Sequence, residues 1–150
     1  MKILIAYATY SSSTKTVTEL IYSILKDKYE VTHKLINEVN PDELNSYDFI
    51  LFASPSWWNR EKDGQPHEFF LAFMDQMEGK TLPDKRFAIV GCGDEKYTHF
   101  CGAVDVLEEF VKKLGGKLVV DSMRIDGFYF NQPLNEQKIA EWTQKLISQL

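Results

Sequence analysis

Three short runs carry almost no polar side chain: Ile3-Leu4-Ile5-Ala6-Tyr7-Ala8, Phe49-Ile50-Leu51-Phe52-Ala53 and Phe87-Ala88-Ile89-Val90. A strand with one wet face alternates apolar and polar residues, so a strand apolar throughout is covered on both faces. The stretches between them have helical spacing instead. Val17, Leu20, Ile21, Ile24 and Leu25 mark a helix over about 13–27, and Phe69, Phe70, Phe73 and Met77 mark another that begins near Pro66. Val104, Leu107, Val111 and Leu114 mark a third that stops at Gly115-Gly116, and Ile139, Trp142, Leu146 and Leu150 a closing one. Strands are expected over about 2–8, 29–36, 48–54, 87–90 and 117–126, with a turn and short helix at Asn40-Pro41-Asp42. Five strands alternating with helices predict an α/β fold: an open, mostly parallel sheet with helices on both faces. With 150 residues and no repeat or linker, one domain over 1–150 is expected, burying roughly 70% of its unfolded surface.

In such sheets ligands sit beyond the carboxyl ends of the strands, where the winding reverses. The loops after strands one, three and four therefore share a rim, and they hold the unusual residues. The first is Thr9-Tyr10-Ser11-Ser12-Ser13-Thr14-Lys15-Thr16, which runs straight into a helix. The first amides of a helix lack intrahelical partners and carry the positive end of its dipole, so hydroxyls and amides together suit a phosphate group. Read alone, the same residues also serve as an ordinary N-cap. The stretch lacks the glycine patterns of triphosphate and dinucleotide loops. The second segment, Pro55 to Gln65, reads as a long loop containing Ser56, Trp57 and Trp58. Adjacent tryptophans either pack on a partner or stack on a planar ligand. The third runs from Gly91 to Gly102, where glycines allow close approach and Tyr97 offers a second flat surface.

Composition removes several classes. With 22 acidic and 17 basic residues the net charge is −5, which opposes nucleic-acid binding and suits docking on a basic protein face. No apolar run approaches the roughly 20 residues of a membrane span. Met1-Lys2 enters a strand with no signal-peptide pattern, so a cytoplasmic protein is expected. Cys92 and Cys101 form no CxxC motif, and His33, His67 and His99 have no zinc spacing. His33 is expected on an edge strand and His67 at a helix N-terminus, neither as a catalyst. The two cysteines read as packing residues and Trp142 as core. Ser54 and Thr9-Tyr10 stand where a phosphorylated receiver domain needs acids, and Thr98 where a tyrosine phosphatase needs Arg six residues after Cys92.

The segment Gly91-Cys92-Gly93-Asp94-Glu95-Lys96-Tyr97-Thr98-His99-Phe100-Cys101-Gly102-Ala103-Val104-Asp105, followed by Glu108-Glu109, resembles a specific flavodoxin stretch. Met123-Arg124-Ile125-Asp126-Gly127 is similar to that family's fifth strand, and no long insertion interrupts it, as in the short-chain group. The resemblance covers the whole chain. It implies a flavodoxin-like doubly wound five-stranded parallel sheet of order 2-1-3-4-5, FMN as cofactor, and one-electron transfer to redox partner proteins. Thr9, Tyr10, Ser11, Ser12, Ser13 and Thr14 would hold the phosphate. Trp57, with Trp58 beside it, would stack on the inner face of the ring and Tyr97 on the outer. Backbone groups of Asp94, His99, Phe100 and Cys101 would meet the pyrimidine edge, and Pro55, Ser56, Cys92 and Gly93 the ribityl chain and ring surroundings. Partners would dock on an acidic rim, with the protein a monomer and no metal, nucleic acid or membrane involved.

Two positions depart from the family pattern. Ser12 stands where the phosphate loop usually has glycine, and Trp58 where many relatives place the glycine whose peptide turns toward the reduced flavin. Two alternatives accompany the carrier reading. An FMN-dependent NAD(P)H or quinone oxidoreductase shares the fold but needs a second substrate pocket. An apo scaffold with weakened FMN binding would follow from strain at Ser12.

Overall fold

A computed structural model describes residues 1–150. The chain runs β1 (Lys2–Tyr7), α1 (Ser13–Leu25), β2 (Glu30–Leu35), two 3-10 turns (Ile36–Glu38 and Pro41–Ser46) and β3 (Phe49–Asn59). Then follow β4 (Lys62–Pro66), α2 (Glu68–Gln76), β5 (Arg86–Gly93), α3 (Gly102–Lys113), β6 (Lys117–Leu118), β7 (Met123–Asp126), a 3-10 turn (Phe128–Asn131) and α4 (Gln132–Ile147). The sheet order is β2-β1-β3-β5-β6, with β7 also on β5, and all these pairs are parallel. That is the doubly wound order expected from the sequence. The winding reverses between β1 and β3, which lie side by side with Tyr7 opposite Ala53.

Successive residues of one strand serve opposite cores. Leu4, Ala6, Ile50, Phe52, Phe87 and Ile89 pack with α2 and α3 on one face. Ile3, Ile5, Tyr7, Leu51, Ala53, Ala88 and Val90 pack with α1 and α4 on the other. This is why the runs are apolar without alternation. Phe52 centres the first core, with ring centroids 5.4 Å from Phe87, 5.5 Å from Phe70 and 6.2 Å from Phe73 and Phe110.

Three expectations need correction. Residues 55–65 are not a loop: β3 continues to Asn59, and β4 returns antiparallel, pairing Ser56 with Pro66 and Trp57 with Gln65. The hairpin turns at Arg60 and Glu61, both with positive φ (47° and 63°), where Asn or Gly would normally signal such a turn. Arg60 reaches Asp75 of α2 at 2.7 Å, which pins the turn. Second, the fifth strand is split. Lys117–Leu118 pairs with the start of β5 and Met123–Asp126 with its end. Third, Trp142 is only partly buried; it packs at the edge of the second core and donates its indole N–H to the Asp121 carbonyl at 2.8 Å. His33 does lie on the edge strand β2, and His67 is the N-cap of α2.

Phe52→Ala should destabilise the protein by about 3–5 kcal/mol, because four rings cannot collapse into the space one leaves. Urea unfolding monitored by far-UV dichroism measures this; a loss under about 1 kcal/mol would mean that the core repacks freely.

Candidate functional site

The turn between β1 and α1 has the features of an anion site. None of the amides of Ser11, Ser12, Ser13, Thr14 and Lys15 donates a hydrogen bond within the protein. The side-chain oxygens of Thr9 and Thr14 are buried and lack partners. Such atoms are uncommon in folded proteins and point to a missing ligand. The Thr14 hydroxyl lies beside the Cys92 thiol and offsets part of that thiol's upward shift. A thiol is a weak partner, however, and leaves the oxygen short of a normal hydrogen bond. Ser12 adopts the left-handed conformation (φ 70°, ψ −10°) and caps α1 through its carbonyl, which accepts from both the amide and the hydroxyl of Thr16 at 3.0 Å. The φ expected for glycine is therefore present in a serine, at a cost of roughly 1–2 kcal/mol. Lys15 is exposed and pairs with Glu19 at 3.9 Å, a solvated helix-start lysine.

Beside the turn lies a cleft of about 240 Å³ lined by Ser56, Trp57, Trp58, Asp63, Gly64, Gly93, Asp94, Tyr97, His99 and Cys101. Trp57, Trp58 and Tyr97 are 58%, 60% and 65% exposed, large apolar faces left uncovered around one hollow. Tyr10 joins the turn to the cleft. Its ring lies 5.7 Å from Trp57, and its hydroxyl accepts from the Asn59 side-chain amide at 3.1 Å.

The walls are held by specific contacts. Gly64 and Gly102 meet so closely that a Cβ on Gly102 would stand 2.7 Å from the Gly64 carbonyl. This lets the hairpin pack against the start of α3. Across the same seam His99 Nδ1 meets Asp63 at 2.9 Å, which holds the Asp63 carboxyl below its usual range. Ser56 Oγ accepts the Ala103 amide at 2.9 Å. In the third loop, the Asp94 carboxylate accepts the Lys96 amide and the Asp126 carboxylate the Glu95 amide, both at 2.9 Å. Arg124 donates to the Cys101 carbonyl at 2.9 Å, so the left-handed Cys101 (φ 50°) is fixed from β7.

Most of the sequence-derived positions come together here, but not all face the cleft. Ser56, Trp57, Trp58, Gly93, Asp94, Tyr97, His99 and Cys101 line it, and Thr9 to Thr14 form the adjoining turn. Pro55 lies one residue beneath the cleft in β3. Cys92 is buried in the second core and the Phe100 side chain packs on the first. Burial pushes both thiols up to about 12, so neither cysteine is a thiolate at neutral pH. The sequence pattern places Asp63 near the ring only as one of several acids and gives Gly64 no part in the cleft, because their position as wall residues depends on the hairpin. The Gly64 between two polar residues was the one available signal.

Fold and site thus define a doubly wound α/β protein with a turn of unpaired amides and hydroxyls beside an aromatic cleft at the switch point. A family model described as flavodoxin matches residues 5–142. A flavodoxin of Maridesulfovibrio salexigens is 36% identical over 128 residues, covering 84% of this chain and 86% of the relative. The structure of oxidised flavodoxin 2 from Bacillus cereus superposes with a TM-score of 0.81 at 28% identity, covering 97% of this chain and 99% of the other. That of Fusobacterium nucleatum flavodoxin bound to flavin mononucleotide gives 0.85 at 18% identity, covering 99% and 98%. The chain belongs to the flavodoxin family, the FMN-binding electron-transfer proteins.

Two substitutions test the turn. Thr14→Val should stabilise the flavin-free protein by about 1 kcal/mol, by removing an unpaired buried hydroxyl, yet weaken FMN about tenfold. Chemical unfolding and a binding titration measure the two, and a destabilised variant would show that Thr14 already has its partner. Ser12→Gly should raise flavin-free stability by about 1 kcal/mol; an unchanged unfolding midpoint would mean that Ser12 carries no strain.

Proposed function

We propose that residues 1–150 form one FMN-binding domain that carries single electrons between proteins and turns over no substrate of its own. The unpartnered donors of the first turn support this reading most directly. A site with free amides, two buried unpaired hydroxyls and no fixed cation suits a phosphate monoester. In this reading Thr9 to Thr14 hold the phosphate, Trp57 and Tyr97 cover the two faces of the ring with Trp58 beside them, and backbone groups from Asp94 to Cys101 meet its polar edge. Ser56 and Gly93 border the ribityl chain and the ring, with Pro55 beneath them and the buried Cys92 packed behind.

FMN supplies the one-electron chemistry, and the protein tunes how readily the ring takes on negative charge. Aromatic faces on both sides and the acids Glu61, Asp63, Asp94 and Glu95 disfavour that charge. Each ~1.4 kcal/mol of such disfavour lowers a one-electron potential by about 59 mV. The fixed Asp126–Glu95 and Arg124–Cys101 bonds keep the loop in shape as charge changes. Partners with a basic face would dock briefly on this acidic rim, as weak electron-transfer encounters do. A monomer working in the cytoplasm fits this role; no helix is long and apolar enough to cross a membrane. The reductase alternative needs a second substrate pocket, and no observation favours it.

Titrating FMN with the flavin-free protein should quench flavin fluorescence at one equivalent, with a dissociation constant in the micromolar range or below, about −8 kcal/mol or better. Absence of quenching at millimolar protein would remove the proposal. Sustained NADPH consumption by the loaded protein alone would move it to the reductase.

A further inference from the structure

His67, the N-cap of α2, sits where the turn, the hairpin and α2 meet. It is 3% exposed. Its Nδ1 accepts the Phe69 amide at 3.0 Å, closing the first turn of α2, and its own amide donates to Ser54 Oγ at 2.9 Å. The Tyr10 ring lies flat on the imidazole, with centroids 4.0 Å apart and planes 26° from parallel. Tyr10 in turn accepts hydrogen bonds from Asn59 of the hairpin and, at 3.4 Å, from the Glu68 amide, and it touches Trp57. One imidazole therefore backs both the residue that opens the anion turn and, through it, the tryptophan wall.

The bond from Phe69 needs an unprotonated Nδ1. A ring carrying a proton on both nitrogens loses that acceptor and becomes a buried cation. The groups acting on the ring pull in opposite directions. Burial disfavours the proton and is the largest effect; the Glu68 carboxylate on α2 and the Thr9 backbone in the turn favour it. The Tyr10 phenol, the Ser54 hydroxyl and the Phe69 ring complete its surroundings. The balance holds His67 below its ordinary value of 6.5. For a base kept neutral by the fold, the stabilising arrangement is complete above that ordinary value and is lost as pH falls through the lowered one.

We propose that His67 is a positioning residue for the cofactor: its neutral ring, through Tyr10, holds the phosphate turn and the Trp57 wall in the one arrangement that takes FMN. This rests on the FMN reading above. The consequence is a flavin affinity that falls on acidification for a reason separate from the phosphate's own titration near pH 6.

The test is the dissociation constant of FMN, measured by fluorescence quenching from pH 8 downward, for the wild-type protein and His67→Asn. Asn is a strong N-cap, so α2 keeps its start while the stacked ring is lost. Both proteins see the same phosphate titration, so the gap between them isolates the imidazole. At pH 8 the variant should bind about tenfold more weakly, and the gap should narrow as acid protonates the wild-type ring, the scan being carried down to the lowest pH at which both proteins stay folded. Riboflavin, which has no phosphate, should show the same closing gap. Equal affinities throughout, or a gap independent of pH, would overturn the proposal. A wild-type protein that takes no FMN at any pH would instead overturn the FMN reading beneath it. If H67N does not fold, Tyr10→Leu serves, at a position 44% exposed. It should reproduce the closing gap, and a wild-type affinity and pH profile in Y10L would overturn the coupling.

Discussion

Strands buried on both faces have only their ends left for chemistry. In this protein the sheet is sealed above by α2 and α3 and below by α1 and α4, through residues that alternate between two cores. The parallel order then brings the carboxyl ends of β1, β3, β5 and β7 to one edge. Every functional feature follows from that confinement. The free amides of α1 point out of the edge beside β1, the tryptophan hairpin extends β3 beyond it, and the third loop leaves β5 next to both. The side-by-side contact of β1 and β3, at the point where the winding reverses, opens the space that a ligand can enter.

The rim is cross-linked by side-chain contacts on its outer side and leaves polar groups unpaired on its inner side. Contacts such as Arg60–Asp75, His99–Asp63 and Arg124–Asp105 tie neighbouring elements together around the rim, but each is at least partly exposed and contributes modestly. The close meeting of Gly64 and Gly102 sets the hairpin's position more firmly than any of these pairs. The inner side keeps donors without acceptors, a left-handed serine and uncovered aromatic faces. Such groups are costly in a protein that binds nothing, and a flat phosphorylated molecule bound there would offset that cost. His67 belongs to the supporting layer behind this surface.

Much of this was legible in the sequence because the strand and helix signals were strong and mutually consistent. Fully apolar runs gave the sheet, and the segment from Gly91 to Asp105 carried a specific family pattern. The hairpin was not legible. Its turn residues, Arg60 and Glu61, are poor formers of positive-φ turns, and the ion pair to Asp75 that holds them is a tertiary contact between residues fifteen apart. For the same reason the wall positions of Asp63 and Gly64 were not legible, since both reach the cleft only because β4 folds back. His67 was placed on the right element, but its role depends on stacking with Tyr10, 57 residues away in the chain by number, which no local pattern encodes. The positive φ at Ser12 was foreseen because the family's glycine marked the position.

The most direct measurement is an amide NMR spectrum of the isotope-labelled, flavin-free protein before and after one equivalent of FMN. Large shifts confined to the amides of Ser11–Lys15, the indole N–H of Trp57 and the backbone from Asp94 to Cys101 are the expected result. Unmoved amides in the first turn, with shifts elsewhere or none, would contradict the assignment of that turn as the phosphate site.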